Sequence, residues 1–105
     1  MMAHEIKKVK VANGLWEKGV GVMFWKDFRG FNGLLLTSTN AVHSFFVRFP
    51  LDLVFLDADY KIVKLVHLKP YSLSPIVLAA KHTLELPEGS IKKHSLKTGD
   101  GINLV

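Results

Sequence analysis

The sequence contains no cysteine, and this absence excludes several kinds of structure and chemistry. Disulfide frameworks, thiolate metal sites and cysteine nucleophiles all need a sulfur atom that this chain does not have. A chain of 105 residues can be stable without them, because domains of roughly 55–65 residues already fold around a hydrophobic core alone. We therefore expect a single domain over residues 1–105 that folds in a reducing compartment.

Long apolar runs are also missing. The longest stretch without a charge, residues 30–47, contains glycine, asparagine, serine, threonine and histidine. It is too polar for a membrane span, which needs roughly 20 apolar residues. The N-terminal sequence MMAHEIKKVKV has charges but no apolar core of a secretory signal. We therefore expect a soluble, cytoplasmic protein with no membrane partner.

Acidic residues are fewer than basic ones, nine against 14, which gives a formal net charge of +5. Most of the basic residues lie in the two end thirds of the chain. Positive charge favours nonspecific contact with nucleic acid, but solvated lysines on strand edges explain the same pattern. Only two of the 14 basic residues are arginines, the side chain that nucleic-acid proteins favour for reading bases. Nucleic acid is therefore an unlikely partner, and weak binding through the lysine-rich ends is our third functional hypothesis.

Motifs for metals and common cofactors are absent as well. The five histidines are scattered, with no H-x-x-x-H or H-x-H spacing, and the D-x-D at residues 57–59 fits an ordinary hairpin turn better than a calcium loop. The glycines at 19 and 21 lack the lysine of a phosphate-binding loop. No G-x-S-x-G nucleophile motif occurs. We predict no metal site and no cofactor.

The apolar pattern that is present predicts a mainly β fold. About seven short apolar segments are separated by turn residues every 8–12 positions, which is typical of a sandwich or a barrel. Residues 34–37, 62–68 and 82–86 are predicted strands, and the glycine-rich part around residues 19–21 favours a short helical turn. We predict a compact antiparallel β-sandwich or distorted barrel with one or two short helices.

The most informative stretch is residues 41–59, an apolar run that carries Arg48 and Asp52 on either side of Pro50. Burying either charge is costly unless it is paired. In a straight strand the two residues would stand about 13 Å apart, at roughly 3.3 Å per residue. Proline favours a bend, and a bend would bring the two charges together. We therefore predict two strands hinged at Pro50 and an Arg48–Asp52 ion pair.

Several polar and aromatic residues are candidates for a functional site. His43, Arg48, Asp52 and Glu85 could converge, and Trp25 together with Trp16 could line a stacking pocket for a sugar or a base. A structural ion pair at the bend, an exposed Glu85 and a buried tryptophan in the core explain the same residues without a function.

Two functional hypotheses use these candidates. The first is a binding module for a small polar or carbohydrate-like ligand, because arginine beside aromatic rings suits such ligands. The second is an enzyme in which His43 and Asp52 form an acid–base pair beside Arg48. The sequence gives no basis for predicting the oligomeric state.

Four segments resemble the DUF192 family, also called UPF0127. They are GVMFWKDF at residues 21–28, HSFFVRFPLDLVFLDAD at 43–59, LELPEGS at 84–90 and LKTGD at 96–100. The resemblance covers residues 18–104. It implies a compact, mainly antiparallel β-sandwich or distorted barrel with one or two short helices, and it carries over no catalytic residues.

The sequence departs from the pattern of this family at two positions. Trp25 stands where the family usually has an arginine, and Val47 stands where it often has a methionine. If that arginine contacts a ligand in the family, Trp25 cannot make the same contact here.

Overall fold

The computed structural model describes residues 2–23, 25 and 27–104, and within them the chain forms seven strands and two short helices. The strands are β1 (Ala3–Ile6), β2 (Val9–Ala12), β3 (Gly33–Leu36), β4 (Leu51–Leu56), β5 (Ile62–Leu68), β6 (His82–Pro87) and β7 (Gly101–Leu104). The helices are α1 (Leu15–Val20) and α2 (Ser90–Lys93). This mainly β architecture with two short helices confirms the predicted fold class. Neither helix in the described part of the chain has the length and apolar character needed to cross a lipid bilayer.

The strands form two sheets. Five strands make the larger sheet, in the order β2-β3-β6-β4-β5, and β1 pairs with β7 in a separate two-stranded sheet. The ladders that involve β6 and β5 are antiparallel, whereas β2 pairs with β3 and β1 pairs with β7 in parallel. A parallel pair needs a crossover connection, which for β2 and β3 runs through α1. The sheet is therefore mixed, where the sequence predicted an antiparallel one.

Side chains of the central strands alternate between two buried faces of the larger sheet. Opposed residues in the ladders share a face, so Leu34, Glu85 and Leu53 define one side, which we call the front face. The opposite side, the back face, carries Val54 and Leu84. Each face has its own hydrophobic cluster. All six residues of β4 are buried, because both of its faces are covered.

Different parts of the chain cover the two faces. On the front face, Val22, Trp25, Phe28, Val42 and Val47 come from irregular segments and pack on the sheet. On the back face, residues of β1, β7 and the segment after β6 pack against it, namely Ile6, Ile91, Leu96 and Ile102. Because loops rather than a second complete sheet cover the front face, that side offers room for a pocket.

The predicted strand before Pro50 does not form. Between residues 41 and 50, all of which the structure describes, the only bridge is the isolated pairing of His43 with Leu73, although the odd-numbered residues 45, 47 and 49 are all apolar. Phe46 has a φ of 61°, which interrupts an extended chain, and Pro50 cannot donate to a ladder. The prediction of two strands hinged at Pro50 is therefore wrong for the first strand and right for the second, β4.

Truncation of a core leucine provides a test of this fold. Leu53 is 0% exposed on the front face, whereas Leu73 is 70% exposed. We expect Leu53→Ala to lower the free energy of unfolding by about 2–5 kcal/mol, because it leaves a cavity in a closely packed core. The matched variant Leu73→Ala should change it by less than about 0.5 kcal/mol. Urea unfolding measures both values, and equal losses would contradict this assignment of the core.

Candidate functional site

A buried glutamate is the most unusual polar group of the front face. Glu85 is only 2% exposed, and it lies between Leu34 and Leu53 in the ladders. Its Oε1 atom is buried, and among the residues that the structure describes it has no hydrogen-bond partner. Burial raises the pKa of Glu85 to about 8. The carboxyl is therefore mostly protonated at neutral pH, when it can donate one hydrogen bond through its hydroxyl and accept others.

Glu85 lies at the base of a pocket with a volume of about 220 Å³. Two segments form its walls, residues 18–22 at the end of α1 and residues 41–43, together with Leu36 and Val47. Counted over the described residues, the walls are mostly aliphatic and include one cationic residue, Lys18. Most buried polar groups in proteins are hydrogen-bonded, so an unpartnered carboxyl at the base of a pocket requires an explanation.

Gly21 allows the chain to pass close above this carboxyl. Its φ of 52° is in the left-handed region that favours glycine, and its amide donates to the Glu17 carbonyl at 2.8 Å, which ends α1. A Cβ atom at this position would stand 3.3 Å from Oε1 of Glu85. The two glycines of the segment differ in the space available for a side chain, because a Cβ at Gly19 would meet no atom within 4 Å.

His43 joins the two walls of the pocket. Its Nε2–H donates to the Gly19 carbonyl at 2.8 Å, and its Nδ1 accepts the amide hydrogen of Phe45 at 3.2 Å. These partners assign the neutral tautomer with the proton on Nε2. The ring also stacks on Phe45, with the centroids 5.5 Å apart. With both ring nitrogens engaged by backbone groups, His43 positions the 41–47 segment and has no free nitrogen for proton transfer.

Asp52 and Arg48 do not join this site. Asp52 points to the back face, where it lies opposite Leu86 and its Oδ2 accepts the amide hydrogen of Ile91 at 2.9 Å. Arg48 is exposed, and among the described residues no ion pair joins it to Asp52. The predicted ion pair is absent because β4 starts immediately after Pro50 and directs the aspartate into the opposite side of the sheet. His43 and Asp52 therefore lie on opposite faces and cannot act as a pair.

Trp25 belongs to a neighbouring depression of about 200 Å³ that Trp16 also lines. Its ring is buried and only 6% exposed, with the Arg29 guanidinium 4.5 Å and the Lys10 ammonium 5.6 Å from the ring centroid. Trp16 is 81% exposed. The two tryptophans do border one depression, but cationic side chains of the protein already occupy positions over the Trp25 ring.

The five candidates thus separate into two groups. The structure brings Glu85 and His43 together and leaves Arg48, Asp52 and Trp25 elsewhere. Within the described ranges, no three His, Asp or Glu side chains are grouped so that they could hold a metal ion.

The sequence reasoning missed the segment 18–22, which forms one wall of the pocket. The two glycines at 19 and 21 were a signal of close backbone approach that could have indicated it.

Comparisons with known proteins agree with this architecture. The family model of DUF192, described as "Uncharacterized ACR, COG1430", matches residues 2–104. The UPF0127 protein PF1050 of Pyrococcus furiosus is 30% identical over 96 residues, which cover 89% of this chain and 83% of that protein. The UPF0127 protein PH1112 of Pyrococcus horikoshii is 26% identical over 98 residues, 90% of this chain and 85% of that protein.

A solved structure shares the fold. It is a protein of unknown function from Novosphingobium aromaticivorans, with a TM-score of 0.76 and 19% sequence identity. The match covers 87% of this chain and 70% of that one. At this level of identity the likeness concerns the fold alone.

The two glycines of the pocket wall allow a matched test of its geometry. We expect Gly21→Ala to destabilise the protein by about 1–3 kcal/mol, because the new Cβ would be strained at positive φ and crowd the Glu85 carboxyl. Gly19→Ala lies in α1 with open space around it, and should stabilise the protein by up to about 1 kcal/mol. Thermal unfolding compares the variants. A Gly21→Ala variant as stable as Gly19→Ala would show that Gly21 does not hold the chain against Glu85.

The buried carboxyl also predicts a pH dependence of stability. The pKa of Glu85 in the folded protein, about 8, is above its ordinary value of 4.5. The folded state therefore holds the proton more tightly, and the stability from this group is complete below about pH 4.5 and lost as the pH rises through about 8. We expect the stability difference between wild type and Glu85→Gln to fall by a few kcal/mol over this window.

Urea unfolding at a series of pH values measures this difference. The control is Glu5→Gln, a substitution at an exposed glutamate of β1, whose curve should run parallel to that of the wild type. If the Glu85→Gln curve also runs parallel to that of the wild type, the assignment of Glu85 as a buried carboxyl with a raised pKa is wrong.

Proposed function

The chain belongs to the DUF192 family of uncharacterised proteins, and we propose that it is a binding module that holds one small polar ligand in the pocket above Glu85. We call this the Glu85 pocket, and it consists of residues 18–22, Leu36, residues 41–43, Val47 and Glu85. The proposal keeps the small polar ligand that the sequence favoured but moves its site away from Arg48 and Asp52.

The observation that carries the proposal is the Oε1 atom of Glu85, which has no hydrogen-bond partner in the described part of the chain. A buried polar group without a hydrogen bond costs about 1–3 kcal/mol relative to one that is satisfied. An apolar side chain at this position would pack among Leu34 and Leu53 without that cost. A carboxyl that weakens the fold and lies at the base of a pocket is what a ligand site requires, because the ligand supplies the missing partner.

The size of the pocket limits the ligand. Its volume of about 220 Å³ is below the range of roughly 300–1,000 Å³ that is typical of sites for drug-sized molecules. This volume suits a compact molecule such as a short acid, an amino acid or a single sugar ring. The depression at Trp16 and Trp25 is less suitable, because Arg29 and Lys10 lie over the Trp25 ring.

The other hypotheses gain less support. An acid–base pair of His43 and Asp52 has no geometric basis, since the sheet separates the two side chains. Weak nucleic-acid binding through the lysine-rich ends stays a prediction, and so does a cytoplasmic location.

Ligand titration monitored by amide NMR tests the proposal. The titrated panel contains sugars, amino acids, nucleotides and short carboxylates at millimolar concentration. We expect at least one class to shift the amide signals of Gly19, Gly21 and His43, while signals of the distant strand β5 stay fixed. The variant Glu85→Leu should keep the fold and gain stability, because it replaces an unsatisfied polar group, and it should lose the response. A panel that leaves the signals of the pocket unchanged would contradict the proposal.

A further inference from the structure

We infer that the ligand of the Glu85 pocket is a short aliphatic carboxylate, whose anionic group forms a hydrogen bond with the Glu85 carboxyl. This inference rests on the proposed function and goes further by naming a chemical class. It follows from three properties of the described residues: the apolar walls, the buried and unpartnered carboxyl of Glu85, and the presence of Lys18 in the lining.

The walls of the pocket require an apolar body in the ligand. Six of the lining residues are aliphatic, namely Val20, Val22, Leu36, Ala41, Val42 and Val47. Hydroxyl groups facing these side chains would lose their hydrogen bonds to water without replacement, which disfavours a sugar ring. A branched or linear chain of a few carbons would instead exclude water from the same surface.

The polar groups of the pocket favour an anion at its base. A protonated carboxyl offers an O–H donor, and a carboxylate oxygen is the acceptor that forms the strongest hydrogen bond with it. Burial alone keeps the proton on Glu85 at neutral pH, where its pKa is about 8. A cationic ligand would instead require Glu85 to ionise in its buried position, and it would be repelled by Lys18.

Besides Glu85, two titratable residues line the pocket in the part of the chain that the structure describes. Lys18 comes from the end of α1 and His43 from the segment 41–47, while Leu36 on β3 and Val47 are apolar. His43 uses both ring nitrogens for backbone hydrogen bonds, so it offers no donor to the ligand. The carboxylate of the ligand therefore has Glu85 as its hydrogen-bond donor and Lys18 as its counter-charge.

Three probes of nearly equal shape test the inference: isobutyrate, isobutyramide and isobutylamine. We expect isobutyrate to bind most tightly, the neutral amide about tenfold more weakly, because the charge-assisted hydrogen bond is lost, and the amine not at all. The affinity for isobutyrate should be constant between about pH 6 and pH 7, where the probe is ionised and Glu85 keeps its proton, and weaken about tenfold per pH unit above about pH 8, as Glu85 loses its proton. Amide NMR titrations on the signals of Gly19 and Gly21 measure these affinities.

Variants separate the two groups that bind the anion. Glu85→Gln keeps a neutral donor, so it should still bind isobutyrate, but with an affinity that no longer falls above about pH 8. Glu85→Leu should lose binding at every pH. Lys18→Met should weaken the affinity for isobutyrate several-fold and leave the affinity for isobutyramide unchanged. Lys64→Met, at an exposed lysine of β5, should change neither affinity.

The outcomes distinguish a failure of this ligand class from a failure of the proposed binding function. If isobutylamine or a sugar binds in the pocket and isobutyrate does not, the ligand class is wrong and the binding module stands. If isobutyrate binds equally well to Glu85→Leu, or with the same affinity at pH 7 and pH 10, Glu85 is not its anchor and the inference is overturned. If no probe and no member of the wider panel binds, both proposals fail.

Discussion

Burial of both faces of β4 and β6 is the constraint on which the rest of the structure depends. Every side chain of β4 is buried, and the four central residues of β6 are buried as well. Such strands need a cover on each side. The cover of the back face comes from β1, β7 and the chain around α2, whereas irregular segments form that of the front face. Loops pack less completely than a sheet, and the Glu85 pocket lies where two of these segments meet.

The two buried carboxyls of the sheet differ in their hydrogen bonding, and each lies on a different face. Asp52 on the back face accepts a backbone hydrogen bond from Ile91, so it has a structural role at the start of α2. Glu85 on the front face has an oxygen with no hydrogen-bond partner within residues 2–23, 25 and 27–104, and burial keeps the pKa of this carboxyl high. The same physical rule applies to both residues: a buried polar group is tolerated when something satisfies it. For Asp52 the chain itself supplies the partner, and for Glu85 we propose that a ligand does.

Much of the fold followed from local pattern. The apolar pattern of residues 82–86, for example, predicted a strand, and the structure confirms it as β6. The functional site was harder to predict from the sequence than the fold. A glutamate within a strand is usually exposed, and only the cover formed by residues 18–22 and 41–43 makes this one buried. The prediction of an ion pair at Pro50 was wrong because the number of residues between two charges does not tell on which face each will lie.

The sequence by itself determined the mainly β class, most strand positions and the family, because these depend on short-range alternation and on the order of residues. Only the tertiary structure decided which polar residues meet. Glu85, His43 and the segment of residues 18–22 are far apart in the chain, and their contact depends on how loops pack over a sheet. Long-range packing of this kind leaves no periodic signal in the sequence. Only the tertiary structure therefore reveals the pocket that forms where two segments cover the sheet.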